Sequence, residues 1–258
     1  MTPKTQRLCA WCGPIMIAFW TVGFALFGGF VPPPSPRADA QQITDMIRGA
    51  TNQIRFGLLL TIAGSALLGP YIGVISMHMK RIEGRDSPLA YGQLVLGACL
   101  IMEFIFPMAV LQTATYRPER SPEIIQMLDD LAWIPFFGIA STAALETALL
   151  GIVILADRRG VPLFPRWAGY YCLWSATLFL PGSVLVFFKS GPLAWDGLFV
   201  FWMPVVVFSS WMIVTSWLMI RSTNQLETTG NEADSGEFVS RAEFDSFTAQ
   251  YNRDRERS

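Results

Sequence analysis

The sequence predicts an all-α protein: a polytopic transmembrane helix bundle of six spans, with short amphipathic outer helices and a disordered C-terminal tail. Three observations carry this reading. Hydrophobic residues make up 52% of the 258 positions and charged residues only 15%, with a mean hydropathy of +0.39; ordinary soluble domains are about 25% charged. Six runs are apolar over the roughly 20 residues that a bilayer requires, namely 10–31, 56–79, 91–112, 131–156, 167–188 and 198–220. No run alternates polar and apolar residues with a period of two, which sets a transmembrane β-barrel aside. Residues 1–221 therefore form one membrane domain, and 222–258 an acidic tail.

The first span follows Lys4 and Arg7 and precedes Ala38-Asp39-Ala40, a pattern that a signal peptide cleaved after Ala40 would also show. Its apolar run is longer than the 7–15 residues typical of a signal core, so an uncleaved span is expected. The first outer loop opens with the stiff run PPPSP and continues with Ile43, Met46, Ile47 and Ala50 at helical spacing, which predicts a short amphipathic helix. The second outer loop repeats the plan. Ser121 is a natural N-cap, Pro122 fits the first helical position, and Ile124, Ile125, Leu128 and Leu131 make the apolar face. Two such helices either form a lid or seat on lipid and cap the bundle.

Span two carries Thr61, Ser65, Gly69 and Gly73 at every fourth position, a stripe that lets another helix approach closely. Each span also holds one proline. Pro14 and Pro135 fall early in theirs, while Pro70, Pro107, Pro181 and Pro204 are expected to kink or break their helices. Trp167, Tyr170 and Tyr171 at one end of the last two spans, and Trp195 at the other, fit interfacial anchors.

Charge fixes the expected orientation. Lys80, Arg81, Arg85, Arg158, Arg159 and Arg166 crowd two short connections on the side that also holds Lys4, Arg7 and Arg221. Short basic loops stay inside. Both termini are thus expected in the cytoplasm, in the plasma membrane of a bacterium. Beyond the lipid bilayer, the expected partners are a small ligand or a proton for the bundle and a protein for the tail, where Phe244, Phe247 and Tyr251 fall at helical spacing. Nothing in the charge pattern points to nucleic acid.

Two carboxylates lie deep in apolar runs: Glu103 in GACLIMEFIFPMAV and Glu146 in ASTAALETALLGIVI. An intramembrane charge costs at least about 2.5–3.5 kcal/mol and ordinarily faces a bundle interior or a cavity. With spans three and four antiparallel, Glu103 falls level with Ala140, and Glu146 lies six residues deeper, or roughly 9 Å along the axis. No lysine or arginine shares their depth, and an unpaired carboxyl in such a place favours its neutral form. That suits a proton- or ligand-binding residue; it also suits a structural hydrogen bonder. Cys9 and Cys12 form a C-x-x-C at the start of span one, and His78, the one histidine, falls on the same side of the membrane. These residues define a thiol-redox or metal alternative. A lone histidine disfavours haem, and no cofactor is required. P-loop, G-x-S-x-G, H-E-x-x-H and G-x-G-x-x-G motifs are all absent from the sequence, as is an intramembrane lysine for a retinal Schiff base. This argues against an enzyme and leaves a binding or transport module, or an accessory protein without chemistry, as the main readings.

The stretches ITDMIRGATNQIRFG and PLFPRWAGYYCLW resemble those of an uncharacterised group of bacterial, actinobacterial-type multi-pass membrane proteins. In that group one helix starts with Arg-x-Gly, here Arg55 and Gly57. A later one starts with Pro-Arg-x-x-Gly, here Pro165, Arg166 and Gly169. GPLAWDGLFVFW resembles a recurrent phrase of the same proteins. The resemblance implies about six helices and no established activity.

Overall fold

A computed structural model of the chain describes residues 2–228. Among these the protein is helical without strands, and six helical stretches are long and apolar enough to cross a membrane: Pro3–Phe27, Thr51–Glu83, Pro88–Tyr116, Pro122–Ala156, Arg166–Phe187 and Leu198–Thr228. The protein is a multi-pass integral membrane protein. Its helices are α1 (Pro3–Trp20), α2 (Ala40–Gly49), α3 (Thr51–Ser65), α4 (Leu68–Glu83), α5 (Pro88–Tyr116), α6 (Pro122–Gly138), α7 (Ala140–Ala156), α8 (Arg166–Phe179) and α9 (203–228). The end of the bundle holding residues 3 and 228 is the terminal end; the other is the far end.

Helix α5 is the hub, packing against α3, α4, α6 and α7, while α8 lies along α7 and α1 along α3 and α4. Two apolar clusters fill the bundle. Near the terminal end Met16, Tyr71, Ile75, Met79 and Met212 pack together, and near the far end Phe24, Phe30, Leu58, Trp133 and Phe201 do so.

Three of the six prolines act as expected, while Pro135 lies in the last turn of α6 rather than early in a helix. Pro70 follows the break that separates α3 from α4 at residues 66–67, Pro181 opens a 3₁₀ segment (Leu180–Phe187), and Pro204 follows a π-helical turn (Leu198–Trp202). Each removes an N–H donor from the ladder, and the local geometry changes to suit. Pro107 differs, since α5 runs unbroken through it. Pro14 is not in a first turn, because α1 starts at Pro3, where Thr2 caps it.

Three further expectations change on folding. The small-residue stripe of span two does not continue past the α3–α4 break. Thr61 and Ser65 are buried, but a Cβ on Gly73 would meet nothing within 4 Å; Gly57 and Gly64 make the close approaches instead. Ser121 precedes α6, but its hydroxyl makes no cap bond. The apolar face of α6 divides, with Ile125 buried against α2 and Ile124 and Leu131 facing outward. Residues 222–228, expected in the tail, continue α9. Its last turns are docked on α1: Arg7 Nε donates to Asn224 Oδ1 at 2.8 Å, and the Arg7 guanidinium pairs with Glu227. The remainder of that tail, with Phe244, Phe247 and Tyr251, lies outside the described residues.

Candidate functional site

A cavity of about 290 Å3 lies in the far half of the bundle. Its wall is built where helices leave regular geometry. Span one becomes π-helical over Thr21–Phe27, span six is π-helical over Leu198–Trp202, span five tightens to 3₁₀ over Leu180–Phe187, and span four breaks between Gly138 and Ala140. Each of these irregular stretches contributes to the lining, through Phe24, Phe201, Gly182 and Ala140 respectively. Irregular backbone at membrane depth is tolerated where it is buried in protein or lines a cavity.

The lining is aliphatic and aromatic. Trp20 stands edge-on to Phe104 with ring centroids 4.9 Å apart and stacks on Phe136 at 5.6 Å, while Phe104 tilts against Phe208 at 5.1 Å. The Trp20 indole N–H donates to Ser65 Oγ at 3.0 Å, which fixes the ring. Among the described residues Glu103 is the one ionisable side chain in this wall; the other polar members are Thr21 and Ser209. The exposed lining residues are Thr21 on span one, Val205 on span six and Val31 just beyond span one, and the mouth lies at these residues. Closer to the terminal end the same two spans touch, since a Cβ on Gly13 would lie 2.9 Å from Ser216 Oγ.

Glu103 is half-buried and accepts a hydrogen bond from the Thr142 hydroxyl, which also donates to Ile139 O. Glu146 is buried to 1% exposure and accepts from Gln93 Nε2 at 2.8 Å. The two carboxyls interact electrostatically. The Thr142 and Gln93 pairings fall within a few residues of the register read from the sequence. Among the described residues the ion pairs are Arg7–Glu227 and Arg159–Asp157, so neither intramembrane glutamate has a cationic partner.

The structure does not gather the thiol alternative into a centre. Cys9 is half-buried, Cys12 is buried with its Sγ 3.5 Å from Leu8 O, and all the cysteines among the described residues are free. His78 is fully buried, edge-on to Phe164 at 5.6 Å and 3.4 Å from Arg81. Among the described residues no three His, Cys, Asp or Glu side chains converge as a metal site.

Some site residues escape a reading based on charge alone. Gln93 and Thr142, the partners of the two glutamates, are uncharged, and Gln93 is detectable only as an amide in an otherwise apolar run. Outside the cavity wall, a further buried acid is missed: Asp129 is 1% exposed and accepts from Trp133 Nε1 at 3.0 Å. In the sequence it stands beside Asp130 in an outer-loop helix and looks solvated. A scan against protein-family models returned no match for the chain, and no curated protein or solved structure matched it either.

Proposed function

We propose that this protein binds a small lipophilic ligand in the intramembrane cavity, as a binding or transport module of a bacterial plasma membrane with both termini cytoplasmic. The observation that carries the reading is a single carboxyl, Glu103, in an otherwise apolar, aromatic cavity at the level of the spans. Ligand sites are concave and mostly apolar, with a few polar groups that fix orientation. Here the aromatic walls take the apolar body of the guest, and Glu103 takes its one cationic or hydrogen-bonding group. Aromatic faces around a carboxylate suit a lipophilic amine best, through charge and cation–π contact together. The resemblance to actinobacterial-type membrane proteins fits the same setting.

The test is a thermal-shift screen of lipophilic amines against the purified protein across pH. Wild type should be stabilised, Glu103→Gln should lose the response, and Val205→Trp, which narrows the mouth, should weaken it. Binding at 100 times the dissociation constant stabilises by about 2.7 kcal/mol, a readily measured shift. Identical melting of wild type and Glu103→Gln with no ligand response would make Glu103 only a hydrogen-bond partner for Thr142, and would favour an accessory protein.

A further inference from the structure

The centre of the bundle holds polar atoms that the cavity does not explain. Gln93 Nε2 donates to Glu146 Oε1, yet among the described residues the second oxygen of Glu146 and the oxygen of Gln93 both lack a partner, as does the hydroxyl of Ser175. Their residues are at most 1% exposed. On α8, Ser175 falls level with Glu146, because Gly151 of α7 packs on Gly169 and Cys172 of α8 in antiparallel register. Buried polar atoms are nearly always paired, and each orphan calls for an explanation. The two orphans of the Gln93–Glu146 pair are both acceptors. No rearrangement of existing hydrogens can join them, whereas one added hydrogen between them can.

We propose that Glu146 and Gln93 form a two-point acid–amide pair that holds one exchangeable proton at the centre of the bundle. The carboxyl O–H on Oε2 donates to Gln93 Oε1, and the amide N–H donates back to Oε1, so one proton satisfies both orphans. The groups around it favour retention. Tyr71 of α4, Glu103 of α5 and Cys172 of α8 interact with Glu146 electrostatically, and none of them is cationic. The 3₁₀ segment Leu180–Phe187, which also packs on α7, has no titratable side chain. Losing the proton would leave a carboxylate facing the Glu103 carboxyl, so proton release is tied to arrival of positive charge at Glu103. This is the coupling that a proton-linked binding protein needs, and the proton site itself stands whether or not the cavity takes an amine.

Infrared difference spectroscopy of the full chain in nanodiscs, stepped in pH, tests the pair directly. A carboxylic-acid C=O band sensitive to D2O should persist at neutral pH, vanish in Glu146→Gln, and remain in Glu103→Gln. Gln93→Leu should shift that band upward as its hydrogen bond is lost, and should lower the melting temperature by several degrees. Glu146→Gln should melt close to wild type, because an amide–amide pair keeps both hydrogen bonds. Absence of any acid band that Glu146→Gln removes would overturn the proposal. So would a sodium- or potassium-dependent stabilisation that Glu146→Gln abolishes, since a metal cation would then occupy the place of the proton.

Discussion

Asp157 shows what one well-placed carboxylate contributes at the end of a span. It follows α7, accepts from Arg159 Nε at 2.8 Å and NH2 at 2.6 Å, and takes the Leu163 N–H at 2.9 Å. These bonds close the loop between α7 and α8. The Arg159 hydrogen bonds hold the Asp157 carboxyl down at about 2, against an ordinary 3.8, outweighing the opposite effect of its burial. A depressed acid stabilises the fold above its unfolded value and loses that effect as pH falls through the folded value. Wild type should therefore lead Asp157→Asn at neutral pH by about 1 kcal/mol, the modest figure reflecting an Arg159 side chain 40% exposed. The gap should close between pH 4 and 2 in thermal melts; a gap that stays constant with pH would refute the ionic account. Residues of this kind divide by how far sequence reveals them. Glu103 and Glu146 stand out because nothing nearby is charged, and the structure brings them to one region of the bundle. Gln93, Thr142 and Asp129 do not stand out, because an uncharged partner or an acid beside an aqueous loop becomes informative only once its neighbours are placed.

Among the helices, glycine controls how closely two backbones pass. A Cβ on Gly57 would lie 2.4 Å from Gly23 O, and one on Gly23 would lie 2.6 Å from Gly57 O, so spans one and two cross with only hydrogens between them. Arg55, two residues earlier, donates through Nε and NH2 to Thr115 O at 3.2 and 2.6 Å, satisfying carbonyls at the end of α5. Arg55 and Gly57, which lie within α3 rather than at its start, thus combine a cap for one helix with a close approach to another. Gly169 plays the second role four residues after Pro165, with its Cβ position 3.0 Å from Gly151 O. Gly57→Ala must move a backbone and should destabilise by about 1–3 kcal/mol. Gly73→Ala, with open space around it, should stay within about 0.5 kcal/mol of wild type. Equal melting temperatures for the two variants would mean that spans one and two are not held at this crossing. The sequence offers both glycines as small residues and cannot rank them, because which of them faces another backbone is settled only by the neighbours each packs against.

For the molecule as a whole, membrane class and span count follow from hydropathy alone, because a bilayer imposes both length and apolarity on anything that crosses it. What hydropathy leaves open is where helices deviate from ideal geometry, and those deviations build the cavity. Prolines mark some of them in advance; the π-helical stretch of span one has no such marker, since Thr21–Phe27 reads as ordinary helix. Orientation rests on different physics, the retention of positive charge on the cytoplasmic side. The connections 84–87 and 157–165 are short and flanked by Lys80, Arg81, Arg85, Arg158, Arg159 and Arg166, and they lie with Arg7 at the terminal end. The far-end cations are partly engaged with backbone: Arg48 donates to Pro118 O at 2.7 Å, and Arg55 to the end of α5. A cation bound to local carbonyls is anchored to its own fold, so the far-end cations offset the bias of the terminal end less than their number implies. A membrane-impermeant thiol reagent applied to intact cells should therefore label Ser35→Cys, an exposed far-end position, and leave Gly160→Cys, an exposed terminal-end position, unlabelled until the cells are opened. The reverse pattern would invert the molecule and turn the cavity mouth, which lies in the far half, toward the cytoplasmic leaflet, so that its ligand would have to be drawn from the inner face of the membrane.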